Sequence, residues 1–210
     1  MFRKVAIISA VLILAFGILF TSVLRTAAVR YEFTGYKATS DTKVLGDSTI
    51  NIDYTLAYPG NVLPDSPLWK LKALRDKVWL ILTTNKSKKV ELNILFADKR
   101  LGASKILFEK GKAEIAYSTL TKAEKYLEEA SISEEQIRKE GANTTDINTR
   151  LAKAALKHFE VMEGILTIAP DDAKPGIIQT EDIPKKVYEQ ARNALNEKGA
   201  ATPENPFDWR

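Results

Sequence analysis

The chain has 210 residues, 45% hydrophobic and 28% charged, with a net charge of +4. That is enough for one folded domain plus an anchor or tail. The absence of cysteine excludes disulfides, thiol catalysis, cysteine-based zinc sites and an acylated lipoprotein cysteine, and a single histidine excludes paired-histidine metal motifs.

The first element is the run at residues 5–24, VAIISAVLILAFGILFTSVL, which no charge interrupts. Twenty helical residues span about 30 Å, the hydrocarbon thickness of a bilayer. Arg3 and Lys4 precede the run and favour an N-terminus inside, although Arg25 and Arg30 follow it. The rival is a cleaved signal, for which Thr26-Ala27-Ala28 supplies small residues, but an apolar signal region is usually shorter, about 7–15 residues. Either way the remainder is expected on the outer side of the membrane.

Residues 31–64 read as an extended linker lying along the domain, with a weak strand-like alternation in TINIDYTL. Pro59-Gly60 marks a turn. Pro64, Asp65, Ser66 and Pro67 then form a helix-start signal: Asp65 or Ser66 accepts from free N–H groups, and Pro67 suits the first helical position. A helix is expected over 67–83, with Leu68, Leu71, Leu74 or Arg75, Val78 and Leu82 along one side. Trp69 and Trp79 lie off that line and suit either inter-helix packing or a ligand cleft or membrane interface.

Asn85 or Ser87 caps a second helix over 88–109, in which Val90, Ile94, Ala97, Leu101, Ser104 and Phe108 are spaced 4-3-4-3-4. Gly111 is its C-terminal cap. A third helix over 112–130 repeats the spacing with Ala116, Leu120, Ala123, Leu127 and Ala130, and the short connection implies an antiparallel hairpin. Residues 131–145 read as a polar loop with a short turn at SEEQIRKE. A fourth helix starts at Thr145 or Asp146 and runs to Thr167, with Leu151, Ala155, His158 or Phe159, Met162 and Ile165 or Leu166 as its stripe, before Pro170 stops it. Pro184 opens a last helix, with Val187, Ala191 and Leu195, ended by Gly199. The tail AATPENPFDWR has no periodicity and reads as disordered, with Phe207 and Trp209 available to dock. The division expected is therefore an anchor at 1–30, a linker at 31–64, a helical ectodomain at 65–199 and a tail at 200–210. The fold class is all-α: a transmembrane helix followed by an antiparallel bundle of four to five helices.

The ordered motifs Tyr58-Pro59-Gly60, Leu63-Pro64-Asp65-Ser66-Pro67-Leu68, LNILFADKRL at 92–101, EKGK at 109–112 and LTKAEKYL at 120–127 resemble an uncharacterised prokaryotic helical domain found outside a single membrane anchor. The resemblance covers residues 56–130. It implies a membrane-tethered extracytoplasmic helical module and carries no catalytic residues with it.

Little in the sequence points to chemistry. There is no GxSxG elbow, phosphate-binding loop or GxGxxG, and no cofactor is expected. His158 and Met162 share a helix face, but two ligands are too few for a metal, so His158 reads as structural. Asp76, Asp98 and Glu109 read as ion-pair partners of Arg75, Arg100 and Lys110. Charge is uneven: Lys70–Lys112 holds 12 Lys/Arg against 4 Asp/Glu, whereas Ala113–Arg210 holds 13 against 18. The basic middle suits solvated helix faces, or contact with anionic lipid or an envelope polymer. The outward address argues against nucleic acid. The expectation is a single-pass, extracytoplasmic, noncatalytic structural or protein-interaction module, its membrane partner reached through the N-terminal helix and an envelope protein or anionic polymer beyond it. The alternative is a ligand or stress sensor with a cleft at Trp69 and Trp79.

Overall fold

The structure, a computed structural model, describes Ala15, Gly17, Ile18 and residues 52–207. Ala15, Gly17 and Ile18 are helical; the remainder of the expected anchor, the linker up to residue 51, and Trp209 lie outside the described residues. Among the described residues no helix is long and apolar enough to cross a membrane. From residue 52 onward the described chain is all helix and connection: α1 (Trp69–Leu82), α2 (Lys86–Glu109), α3 (Ala113–Lys139), α4 (Thr145–Ile168), α5 (Lys174–Thr180) and α6 (Asp182–Glu197).

The hairpin of α2 and α3 is the frame. Asn85 caps α2, its side chain accepting from the Lys88 N–H at 3.0 Å. The turn after α2 needs a left-handed residue, and Gly111 supplies φ +68°. There the Lys112 N–H closes back on the Leu107 carbonyl at 2.9 Å, satisfying a carbonyl the helix would otherwise leave open. At the far end Lys86 pairs with Glu140, so the helices run antiparallel over their whole length. The expected seam is buried: Ile94, Leu101, Leu120 and Leu127 are all sealed from solvent. Helix α4 packs back on this hairpin and α6 lies along α3 and α4, adding Val187, Tyr188, Ala191 and Leu195 to the core. A second part of the core gathers Leu101, Leu107, Ala116, Leu120, Met162, Ile165 and Ile177.

Two extended segments strap the bundle. Residues 52–63 cross it with Ile52, Ala57 and Leu63 buried, and Pro59 rests on α2 where Gly102 leaves room, a Cβ there meeting the proline ring at 3.4 Å. The tail expected to be disordered is instead placed against the bundle over residues 200–207. Tyr188 donates to the Pro203 carbonyl, and Phe207 packs edge-on against Phe159 with centroids 4.7 Å apart. Its two prolines lower the cost of ordering, and its aromatic ring supplies the contact.

Two further expectations are corrected. The segment 131–145 is not a loop up to Lys139: α3 runs on, because Ala130, Ser131, Glu134 and Ile137 continue its buried face. The helix ends at Lys139, and Gly141, φ +93°, turns the chain where the Ala142 N–H reaches the Ile137 carbonyl. In α1 the leucine-rich side points outward rather than into the core. Leu71 is 65% exposed, and Leu68, Leu74, Val78 and Leu82 are exposed with it. The inner side of α1 is instead made by Asp76, Trp79 and Leu80, which face Arg75, Phe96 and the packing around Phe96.

These placements separate two leucines that the sequence treats alike. Leu120→Asp should abolish the cooperative thermal melt, because it buries an unpaired charge. Leu71→Asp should leave the melting free energy within about 0.5 kcal/mol of the parent chain, as an exposed substitution does. Circular dichroism melts of the two variants check this, and an inverted order would refute the placement of α1.

Candidate functional site

Three helices and the N-terminal strap meet at a buried polar centre. Asp98 of α2 lies four residues after Ile94 and three before Leu101, and Glu124 of α3 lies likewise between Leu120 and Leu127, so both carboxylates share a face with the seam. His158 of α4 stands between them. Its Nδ1 is 2.8 Å from Glu124 Oε1 and its Nε2 is 3.2 Å from Asp98 Oδ1. Tyr54 of the strap donates its hydroxyl to Asp98 Oδ2 at 2.8 Å. The expected pairing of Asp98 with Arg100 is therefore corrected. Arg100 lies over the Tyr126 ring, 4.4 Å from its centroid, and Asp98 faces the histidine instead. Asp76 does pair with Arg75, at 2.7 Å.

A neutral imidazole has one N–H and can serve one carboxylate; the imidazolium serves both. Burial alone would depress the His158 pKa, but the charge of Glu124 and the bonds to Asp98 and Glu124 outweigh it and raise the pKa to about 9. Burial, and then the Asp98 charge, push the Tyr54 hydroxyl far above its ordinary range, so it remains a donor. The residue types are those of a general acid–base site. Their accessibility is not: His158 and Glu124 are 0% exposed and Asp98 is 1% exposed. The centre holds α2, α3, α4 and the strap together as a clamp. Both ring nitrogens being engaged, His158 has none to offer a metal alongside Met162. Among the described residues no group of three His, Asp or Glu is arranged to hold a metal ion.

Two more carboxylates are buried near helix ends. Glu134 Oε1 accepts from Thr144 Oγ1 and from Asn148 Nδ2 at 2.6 Å, joining the end of α3 to the start of α4. Glu181, at the α5–α6 junction, has its pKa raised to about 7 by burial first and by the Glu163 charge second.

Of the residues expected to start the helix, Ser66 accepts from a free N–H as expected, whereas Asp65 and Pro67 take other roles and the helix begins two residues later. Pro64–Leu68 form turns ahead of Trp69, the first helical residue, and Leu68 has no side-chain cap. Ser66 Oγ accepts from the Leu68 N–H at 3.3 Å, and the Trp69 N–H reaches the Ser66 carbonyl. Asp65 pairs with Lys112 at 2.7 Å, linking this turn to the α2–α3 turn, and Pro67 is exposed. Trp69 and Trp79 are each met by side chains of the fold. Lys72 Nζ and the Arg100 guanidinium lie 5.1 and 5.8 Å from the Trp69 ring, and Trp79 meets Phe96 edge-on at 5.9 Å. Lys72 also donates to the carbonyls of Pro59 and Val62, and its burial there lowers its pKa to about 8.

The accessible feature is the outer face of α1. Leu68, Leu71, Leu74, Val78, Ile81 and Leu82 are all exposed, Ile81 by 69%. At 3.6 residues per turn they occupy an arc of roughly 140°. Lys70 and Lys77, both exposed, border it on one side.

An all-α bundle, clamped by buried charge and carrying one apolar helix face on its outside, is the class these features define. The profile of a domain of unknown function, DUF5667, matches residues 61–172, just over half of the chain, and the chain belongs to that family. The match takes in α1 to α4, with Asp98, Glu124 and His158, and so extends beyond the motifs at 56–130 that resemble such a domain. No curated protein and no solved structure matches the chain.

The buried groups set a direction for pH dependence. A raised histidine pKa stabilises fully below the ordinary value near 6.5 and the effect fades as pH passes 9, amounting to on the order of 3 kcal/mol. A raised Glu181 pKa likewise favours the folded state below 4.5 and loses that contribution through about 7. Urea unfolding should therefore show stability falling from pH 5 to pH 9.5. Glu181→Gln should flatten the lower part of the curve and His158→Gln the upper part. Stability that rises with pH across this range would contradict both assignments.

Proposed function

We propose that this chain is a membrane-tethered extracytoplasmic module with a noncatalytic structural or interaction role at the cell envelope. The carrying observation is the division of the folded region into a sealed interior and one open apolar face. His158, Glu124 and Asp98 are buried as a clamp, whereas five apolar side chains of α1, and Leu68 just ahead of it, are exposed. The uncharged run at 5–24, preceded by Arg3 and Lys4, supports the tether and the outward orientation. The sensor alternative rests on Trp69 and Trp79; both are engaged by side chains of the fold, which favours the interaction role.

Protease treatment of intact cells tests the topology. With the chain full length in the membrane fraction, residues 31–210 should be digested from outside. Protection in intact cells, with cleavage only after lysis, would reverse the orientation and remove the basis of the proposal.

A further inference from the structure

We infer that the outer face of α1 is a lipid-docking surface that lies in the headgroup region of an anionic bilayer. This deepens the tethered-module reading and rests on it.

The first observation is geometric. Helix α1 has 14 residues, about 21 Å, and turns Leu71, Leu74, Val78, Ile81 and Leu82 to solvent, with Leu68 exposed just ahead of it. A contiguous apolar face of this kind on a folded chain marks a contact surface rather than scattered exposure.

The second is charge. Between Trp69 and Lys89 there are seven Lys/Arg and a single acid, Asp76, which is buried against Arg75. Lys70 and Lys77 edge the apolar face, and exposed Lys88 and Lys89 follow at the start of α2. An interfacial helix has this layout: apolar side chains sink about 5–10 Å while bordering lysines reach up to phosphate groups.

The same charges disfavour the other occupants. Two copies joined through α1 would bring their lysine borders together, with no exposed acid on either helix to offset them. The apolar run at 5–24 would cover the leucines, but it is uncharged and offers the lysines no counterion. An anionic bilayer satisfies both parts of the surface. The 28 residues from the end of that run to Ile52 reach at most about 90 Å, ample for α1 to rest on the membrane that holds the tether.

The lack of cysteine allows a direct test. Full-length Leu71→Cys, Ile81→Cys and, as a control on α3, Ile132→Cys each carry one environment-sensitive fluorophore at an exposed position. They are reconstituted into phosphatidylcholine vesicles with and without phosphatidylglycerol, and with nitroxide-labelled lipid as quencher. Labels at 71 and 81 should shift to the blue and be quenched in the anionic vesicles, and the label at 132 should not. Added salt should reverse the effect, and Lys70→Ala and Lys77→Ala should each weaken docking roughly fivefold. Protein that floats with vesicles while its labels at 71 and 81 stay in water overturns this inference and leaves the tether standing. Labels shielded without lipid quenching, with crosslinks between copies at 71, replace the bilayer by a second copy. Failure to float with either vesicle overturns the tether and the inference together.

Discussion

Both nitrogens of one buried imidazole face carboxylates from two other helices, and the rest of the structure depends on that arrangement. The seams of α2, α3 and α4 are rich in alanine, with Ala97, Ala123, Ala154 and Ala155 all buried. Small side chains let helices approach closely but fix their register weakly. A charge that is satisfied only when Asp98, Glu124 and His158 coincide supplies what the alanines lack, since a slip of one turn would strand ions in the core. Breaking such a set by removing one member typically costs about 3–5 kcal/mol, although a well-packed apolar replacement can be neutral. Its value here is specificity of register more than net stability. Tyr54 extends the clamp to the strap, so the chain arriving from the N-terminus is held to the same point.

From this clamp follows the contrast between the bundle and α1. The bundle is closed: the strap crosses one side, the tail at 200–207 covers another through Phe207, and the buried Glu134 joins the end of α3 to the start of α4. Helix α1 is attached differently. It meets the rest through Trp69 on Arg100, Trp79 on Phe96, and Lys72 on the carbonyls of the strap. Polar and aromatic contacts and Leu80 hold it, and its other large aliphatic side chains are left outside. The bundle thus displays one apolar, lysine-bordered helix, the feature on which the proposed interaction role rests.

Much of this was legible in the residues. The 4-3 spacing located α2, and the Gly111 turn and the antiparallel hairpin followed from local chemistry. The equivalent positions of Asp98 and Glu124 beside their seams, with His158 already on the stripe of α4, contained the clamp, but charge type drew attention to nearby arginine instead. Periodicity revealed a stripe on α1 without its direction, because six leucine-like residues look the same facing a core or facing lipid. The second half of α3 was hidden for a related reason. Ser131 and Glu134 read as loop polarity, yet their partners are Gln190, Thr144 and Asn148, brought close only by the fold. Gly141 was the local sign of where that helix ends. The tail read as disordered because its docking depends on distant partners: Phe207 meets Phe159, and Tyr188 donates to the Pro203 carbonyl.

The central claim is that a positive charge is held at the middle of the bundle. The chain has one histidine, so nitrogen NMR of the imidazole observes His158 without ambiguity. At pH 7 both Nδ1 and Nε2 should carry protons, with titration centred near 9. A neutral ring at pH 7, protonated on one nitrogen and titrating near or below its ordinary value, would contradict the clamp and the account of register built on it.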